Sequence, residues 1–199
     1  MMGKVLFMRK GETHTEPKPG LPSGYTKLAY IQSTGTQYND MGISVPHASS
    51  RVVIEFAPME VSADNPISGY AYPTWSWDTN LAFVSGSKIL VANTYGPVVA
   101  NGVFYKFEYT STYYRINDGE KVAMTNRSYV DGYNNTVSFA GGKYGKNKIR
   151  HYQLYNGDTL VRDCVPCINP SGTVGLFDMV ERKFYGNSGT GVFIGSEVA

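Results

Sequence analysis

No stretch of this chain keeps a helical period for more than two turns. Short runs of β-branched and aromatic residues recur instead, and each ends within a few positions at Gly, Pro, Asn or Asp, the residues that turn a chain. The pattern predicts strands over 28–33, 37–42, 51–57, 67–72, 81–84, 88–93, 103–110, 113–116, 121–125, 136–140, 149–155, 159–166, 174–178, 183–185 and 191–194. That many short strands in 199 residues means two packed sheets or a barrel, and an antiparallel two-sheet β-sandwich is the simpler solution. Two hairpin signals support antiparallel pairing: Asn117-Asp118-Gly119 ahead of 121–125, and Asn156-Gly157-Asp158 between 149–155 and 159–166.

Composition closes off the alternatives. With 42% hydrophobic and 14% aromatic residues the chain is too apolar for disorder, and its 22 Gly and 10 Pro have no collagen-like period. Its apolar runs, such as Ile89 to Ala92, fall far short of the roughly 20 residues that span a membrane as a helix. Charge divides unevenly. Lys4, Arg9, Lys10 and Lys18 face only Glu12 and Glu16 within residues 1–20, while the remainder carries equal numbers of acidic and basic side chains, so the net +2 belongs to the first twenty positions. A neutral body argues against a nucleic-acid binder. The polar, Pro-containing stretch up to Gly20 has little to bury and reads as an extended N-terminal arm, 1–20, ahead of one domain, 21–199. Val5-Leu6-Phe7-Met8 is too short for the roughly 7–15-residue core of a signal peptide, so synthesis in the cytoplasm without export is expected.

The run Leu21-Pro22-Ser23-Gly24-Tyr25-Thr26-Lys27-Leu28-Ala29-Tyr30-Ile31-Gln32-Ser33-Thr34-Gly35-Thr36-Gln37-Tyr38 resembles the opening strands of a concanavalin A-like, laminin-G-like jelly-roll family frequent in gut bacteria and their phages. Leu160-Val161-Arg162-Asp163 with Val165-Pro166-Cys167, then Gly175-Leu176-Phe177-Asp178 and Lys183-Phe184-Tyr185-Gly186-Asn187-Ser188-Gly189-Thr190-Gly191, resemble its closing strands. The resemblance covers roughly 21–195 and implies a jelly roll whose termini lie close together. Residues 8–15, Met-Arg-Lys-Gly-Glu-Thr-His-Thr, resemble openings of phage virion proteins.

Chemistry-bearing patterns are sparse. The glucanases of that family carry Glu-x-Asp-x-x-Glu on one strand face; here the nearest run, Glu55 to Glu60, puts its carboxylates on opposite faces and is broken by Pro58. Only three histidines exist, and no Gly-x-Ser-x-Gly elbow accompanies them. Cys164 and Cys167 have the spacing of half a zinc site but no second pair, and the resemblance makes them a strand and the loop after it. No metal and no cofactor are expected. Tyr70 to Asp78 holds both tryptophans, and Tyr72, Trp75, Trp77 and Asp78 combine flat rings with an acceptor as sugar sites do; filling a core is the competing use. Tyr144, Lys146, Lys148 and Arg150 would alternate on one strand face, as a basic strip or a solvated edge.

The expectation is a non-enzymatic phage virion surface protein, of capsid or tail, displaying a lectin-like sandwich. Lys4, Val5, Leu6, Phe7, Met8, Arg9 and Lys10 would contact other virion proteins, by strand addition flanked by cations. The alternative is a carbohydrate-binding module for host-surface or mucus glycans. Neither involves nucleic acid or membrane, and both are compatible with a homo-oligomer.

Overall fold

The computed structural model describes residues 20–61, 64–72, 82–91, 94–124 and 131–198. Apart from one 3-10 turn at His47–Ser49, every described element is a strand. In chain order they are β1 (Thr26–Lys27), β2 (Ile31–Gln32), β3 (Asn39–Asp40), β4 (Ser50–Pro58), β5 (Asn65–Tyr70), β6 (Ala82–Ser85), β7 (Lys88–Val91), β8 (Thr94–Val98), β9 (Tyr105–Tyr109) and β10 (Tyr113–Ile116). They continue with β11 (Val122–Ala123), β12 (Asn135–Val137), β13 (Phe139–Ala140), β14 (Lys143–Tyr144), β15 (Asn147–Asn156), β16 (Thr159–Ile168), β17 (Val174–Asp178), β18 (Lys183–Tyr185) and β19 (Ile194–Gly195).

The larger sheet runs β11-β10-β9-β4-β15-β16-β17-β18, with β1, β2 and β19 attached beside it; the smaller runs β3-β12-β5-β6-β7-β8, and β13 with β14 forms a separate ribbon. Pairing is antiparallel, and the sheets pack as a sandwich. Alternation explains why. Val52, Ile54 and Phe56 of β4 fall on one face, in register with Tyr109 and Phe107 of β9 and with Leu154, Tyr152 and Ile149 of β15. These meet Ile67, Ala82, Val84, Ile89 and Val91 of the smaller sheet in one buried cluster. Full burial of such side chains contributes about 1.5–3 kcal/mol each and selects this register, because a one-residue slip would turn the apolar set outward.

The ends of the domain are locked where β15 and β16 part. These strands pair from Tyr152↔Cys164 to Asn156↔Thr159, and beyond that β1 pairs with Cys167 and Ile168 of β16 while β2 pairs with Lys148 and Ile149 of β15. β19 then pairs with β2, and Leu28 bridges to Val198. Of the strand predicted over 28–33 only β2 and the bridge at Leu28 form, because the Ser196 hydroxyl accepts the N–H groups of Ala29 at 2.8 Å and Tyr30 at 3.1 Å and bends the chain between them. The predicted strand 136–140 is likewise split, by Ser138 with φ of 59°. β8, which contains Gly96 and Pro97, is not among the predicted strands; it is the last strand of its sheet, where a missing N–H costs no ladder bond.

Candidate functional site

The outer face of the larger sheet carries what the core face cannot hold. Opposite the buried residues of β4 stand Arg51, Val53 and Glu55; register places Glu108 beside Val53, Lys106 beside Glu55, and Arg115 beside Glu108. On β15 the same face presents His151, Gln153 and Tyr155, and on β16 it presents Asp163. Two polar groups result.

The first centres on Glu108, whose side chain is buried. Its Oε1 accepts the Tyr113 hydroxyl at 2.6 Å, and its Oε2 accepts Arg115 Nε at 2.9 Å and Nη2 at 2.5 Å. Arg51 Nη1 stands 4.0 Å from Oε1 and so adds charge without a hydrogen bond. Burial works to raise the Glu108 pKa, but the bonds from Tyr113 and Arg115 and the two guanidinium charges outweigh it and hold the carboxyl below the usual carboxylate range. Arg51 lies 3.5 Å over the Tyr155 ring, and Lys121 Nζ lies 4.1 Å over the Tyr113 ring. Arg51, Glu108, Tyr113 and Lys121, with Ser49 and Asp158, line an open cleft of about 430 Å³.

The second group joins His151 Nε2 to Asp163 Oδ1 at 2.7 Å, with Gln153 Nε2 donating to the same oxygen at 3.1 Å. Glu55 faces His151 in register, and both line a hollow of about 380 Å³ with Lys27 and Arg150. Asp163 is buried beneath its partners, so it orients the imidazole rather than meeting a ligand. The thiol on this strand gives no nucleophile: Cys167 is fully buried and its pKa is pushed by burial up to about 12. Cys164, three residues away, falls on the opposite face of β16 inside the core, where burial raises its thiol well above the ordinary value. The two sulfurs therefore cannot grip one metal ion as a pair. Among the described residues, no three His, Cys, Asp or Glu side chains converge on a metal position.

Of the residues expected to bind sugar, Tyr72 packs edge-on against Tyr133 with centroids 4.9 Å apart and leans on the small cluster of Tyr70, Phe83, Leu90 and Ala140. Trp75, Trp77 and Asp78 lie outside the described residues, as do Lys4 to Lys10. The basic strip does not form as expected. Tyr144 belongs to β14 and packs on Phe139 and Tyr38, while the following residues start again in β15 with a register shift between Ile149 and His151. Its cations are taken singly: Lys146 by Glu60 at 2.6 Å, Lys148 over the Tyr30 ring at 4.6 Å, and Arg150 over the Phe104 ring at 3.5 Å. Glu60 thus stands past the end of β4 in an ion pair, apart from Glu55 on the sheet face.

The Glu108 group was missed in the sequence. Its signal was alternation: Lys106 and Glu108 flank Phe107, and Tyr113 and Arg115 flank Tyr114, so the polar positions of β9 and β10 share a face. Arg51 and Tyr155 reach that face from distant strands, and nothing local announces them. No protein-family model matches this chain, and no curated protein matches it either.

Proposed function

We propose that this protein is a non-enzymatic component of a virion surface, in which a concanavalin A-like jelly roll is displayed and residues 1–20 attach it to the capsid or tail. The observation that carries this reading is how the described domain begins. The Gly20 carbonyl accepts Arg182 Nη1 at 3.0 Å, the first strand starts at Thr26, and the first core residue, Leu28, is bridged to Val198. The gap between β15 and β16 is filled by β1, β2 and β19, all of which follow Gly20. A sheet completed by strands after Gly20 would leave residues 1–20 for attachment. Val5-Leu6-Phe7-Met8 would add as a strand to a partner's edge, and Lys4, Arg9 and Lys10 would favour an acidic acceptor and make capture sensitive to salt.

Deleting residues 1–20, which costs the domain only the exposed Gly20–Arg182 bond, is expected to leave the melting transition of 21–199 nearly unchanged and to abolish incorporation into particles. Truncated protein found in particles at normal copy number would show that the arm is not the anchor. A second reading, glycan recognition by the displayed sandwich, is favoured by the cleft beside Glu108, where two cations rest on tyrosine rings above an acid already satisfied by other donors.

A further inference from the structure

We infer that the cleft beside Glu108 binds a saccharide carrying one negative charge, with Arg51 as the residue that grips the anionic group. The inference rests on the glycan-recognition reading and not on how the protein is attached.

Arg51 makes the case. Its guanidinium is held 3.5 Å over the Tyr155 ring, which fixes the plane of a five-donor fork. Among the described residues those donors have no hydrogen-bond acceptor: the nearest acid, Glu108, is 4.0 Å away, and its oxygens already accept from Tyr113 and Arg115. A guanidinium that is fixed, 28% exposed on its side chain and facing a cleft is prepared for an acceptor from outside. Lys121 repeats the arrangement on the other side, placed over Tyr113 with no anionic partner among the described residues.

The rest of the lining narrows the ligand. Arg51 and Lys121 line the cleft with Glu108 and Asp158, and Arg115, bonded to Glu108 from outside the lining, offsets that acid, so one negative charge balances the site. Asp158, exposed at the rim, would repel a polyanion such as a nucleic-acid backbone but accepts hydroxyl protons well. The Ser49 hydroxyl donates to the Pro46 carbonyl at 3.1 Å, which leaves its oxygen free to accept as well. A bare inorganic anion would use the cations and leave both acceptors idle. A neutral sugar would use the acceptors and leave Arg51 without its counter-charge. A volume of about 430 Å³ lies in the range of small-ligand sites and exceeds what an ion needs. A uronic or sialic acid and a sulfate ester share the required chemistry.

Calorimetric titration of the full chain distinguishes them, with glucuronate, N-acetylneuraminate, glucose 6-sulfate, glucose and inorganic sulfate as probes. At least one charged sugar is expected to bind about tenfold or more tightly than glucose and sulfate. Arg51→Lys keeps the charge but removes the planar fork, and is expected to weaken that binding about tenfold or more, with Lys121→Gln having a smaller effect; melting curves of both variants check the fold. Sulfate binding as tightly as the sugars would reduce the cleft to a general anion site and overturn the inference. Charged-sugar binding that survives Arg51→Lys but is lost in a Trp75→Ala, Trp77→Ala double variant would overturn the cleft and leave glycan recognition standing. Binding of none of the sugars would overturn both.

Discussion

Glu108 and Asp178 are both buried acids on strands of one sheet, 4% and 0% exposed, yet their carboxyl groups titrate in opposite directions from the ordinary value. Glu108 lies on the outer face and receives both Arg115 nitrogens within hydrogen-bond distance, and its pKa is lowered. Asp178 lies on the core face at the end of β17. Its Oδ1 accepts the N–H groups of Asp163 at 2.8 Å and Val180 at 3.0 Å, and its Oδ2 accepts that of Glu181 at 3.3 Å. Its nearest cation, Arg162 Nε, is 3.6 Å away and donates to the Met41 carbonyl instead, while Nη1 serves the Val161 carbonyl and Nη2 pairs with Glu181. Burial therefore prevails over the backbone donors and Arg162, and the pKa of Asp178 is raised. The difference teaches that a neighbouring guanidinium charge lowers an acid's pKa in both places, but offsets burial only where its N–H groups also bond the carboxylate directly. Glu108 is a charged group built into a site; Asp178 is a backbone clamp that carries its charge at a cost.

The largest effect follows from the clamp. Asp178→Ala removes acceptors from the N–H groups of Val180 and Glu181 in the turn after β17 and of Asp163 on β16, and leaves Arg162 buried with one partner fewer. A loss of about 3–5 kcal/mol in denaturant unfolding is expected. A loss below about 1 kcal/mol would mean that the turn after β17 holds without it.

Glu108→Gln is expected to cost less, about 1–3 kcal/mol near neutral pH, because the amide keeps the shape but gives up the charge that Arg115 and Arg51 face. The pH dependence separates the two acids. With a folded pKa below its unfolded value, Glu108 contributes stability that is fully present above the unfolded carboxylate pKa and is lost as pH falls through the folded one. Asp178, with a raised folded pKa, contributes the opposite slope: its share is full below the unfolded value and is lost as pH rises through the folded one. The gap in melting temperature between wild type and Glu108→Gln should therefore close as the medium is acidified below the normal carboxylate range. A gap that stays constant with pH would assign the loss to shape rather than to charge.

What could be read from the residues divides along the same line. Strand positions and the two hairpins are legible because alternation and turn residues are local: Tyr113↔Ala123 and Asn156↔Thr159 pair across the Asn- and Gly-containing turns that signal them. Where a strand breaks is less legible, since the bend at Ala29 depends on Ser196 from the far end of the domain. The Glu108 group is harder still. Its acid and Arg115 stand on neighbouring strands, but Arg51 and Tyr155 arrive from β4 and β15, and only the strand order β10-β9-β4-β15 puts them together. The tryptophan cluster was conspicuous in sequence because aromatics are conspicuous. A lone arginine lying on a tyrosine from a strand far along the chain is not, and only its missing acceptor marks it.

The smallest expected effect sharpens the outer-face half of the comparison. Tyr113→Phe deletes one hydroxyl donor to Glu108 and keeps the ring on which Lys121 rests, so the expected cost is about 0.5–1.5 kcal/mol near neutral pH. Its pH signature has two sides. On the acid side Glu108 loses one of the bonds that lower its pKa, so its contribution should begin to fall at a higher pH than in wild type. On the alkaline side the phenol of Tyr113 is raised first by burial and then by its bond and proximity to Glu108; with a folded pKa above the unfolded 10.0, its share of stability is present below that value and is lost as pH rises through the folded one. Phenylalanine has no proton to lose, so the difference between the two proteins should shrink, or change sign, in strongly alkaline buffer. Melting curves of both proteins across the acid and alkaline limbs measure this. A difference that is flat on both limbs would show that the hydroxyl and the carboxylate are not coupled, and that Arg115 alone holds Glu108 in its charged form.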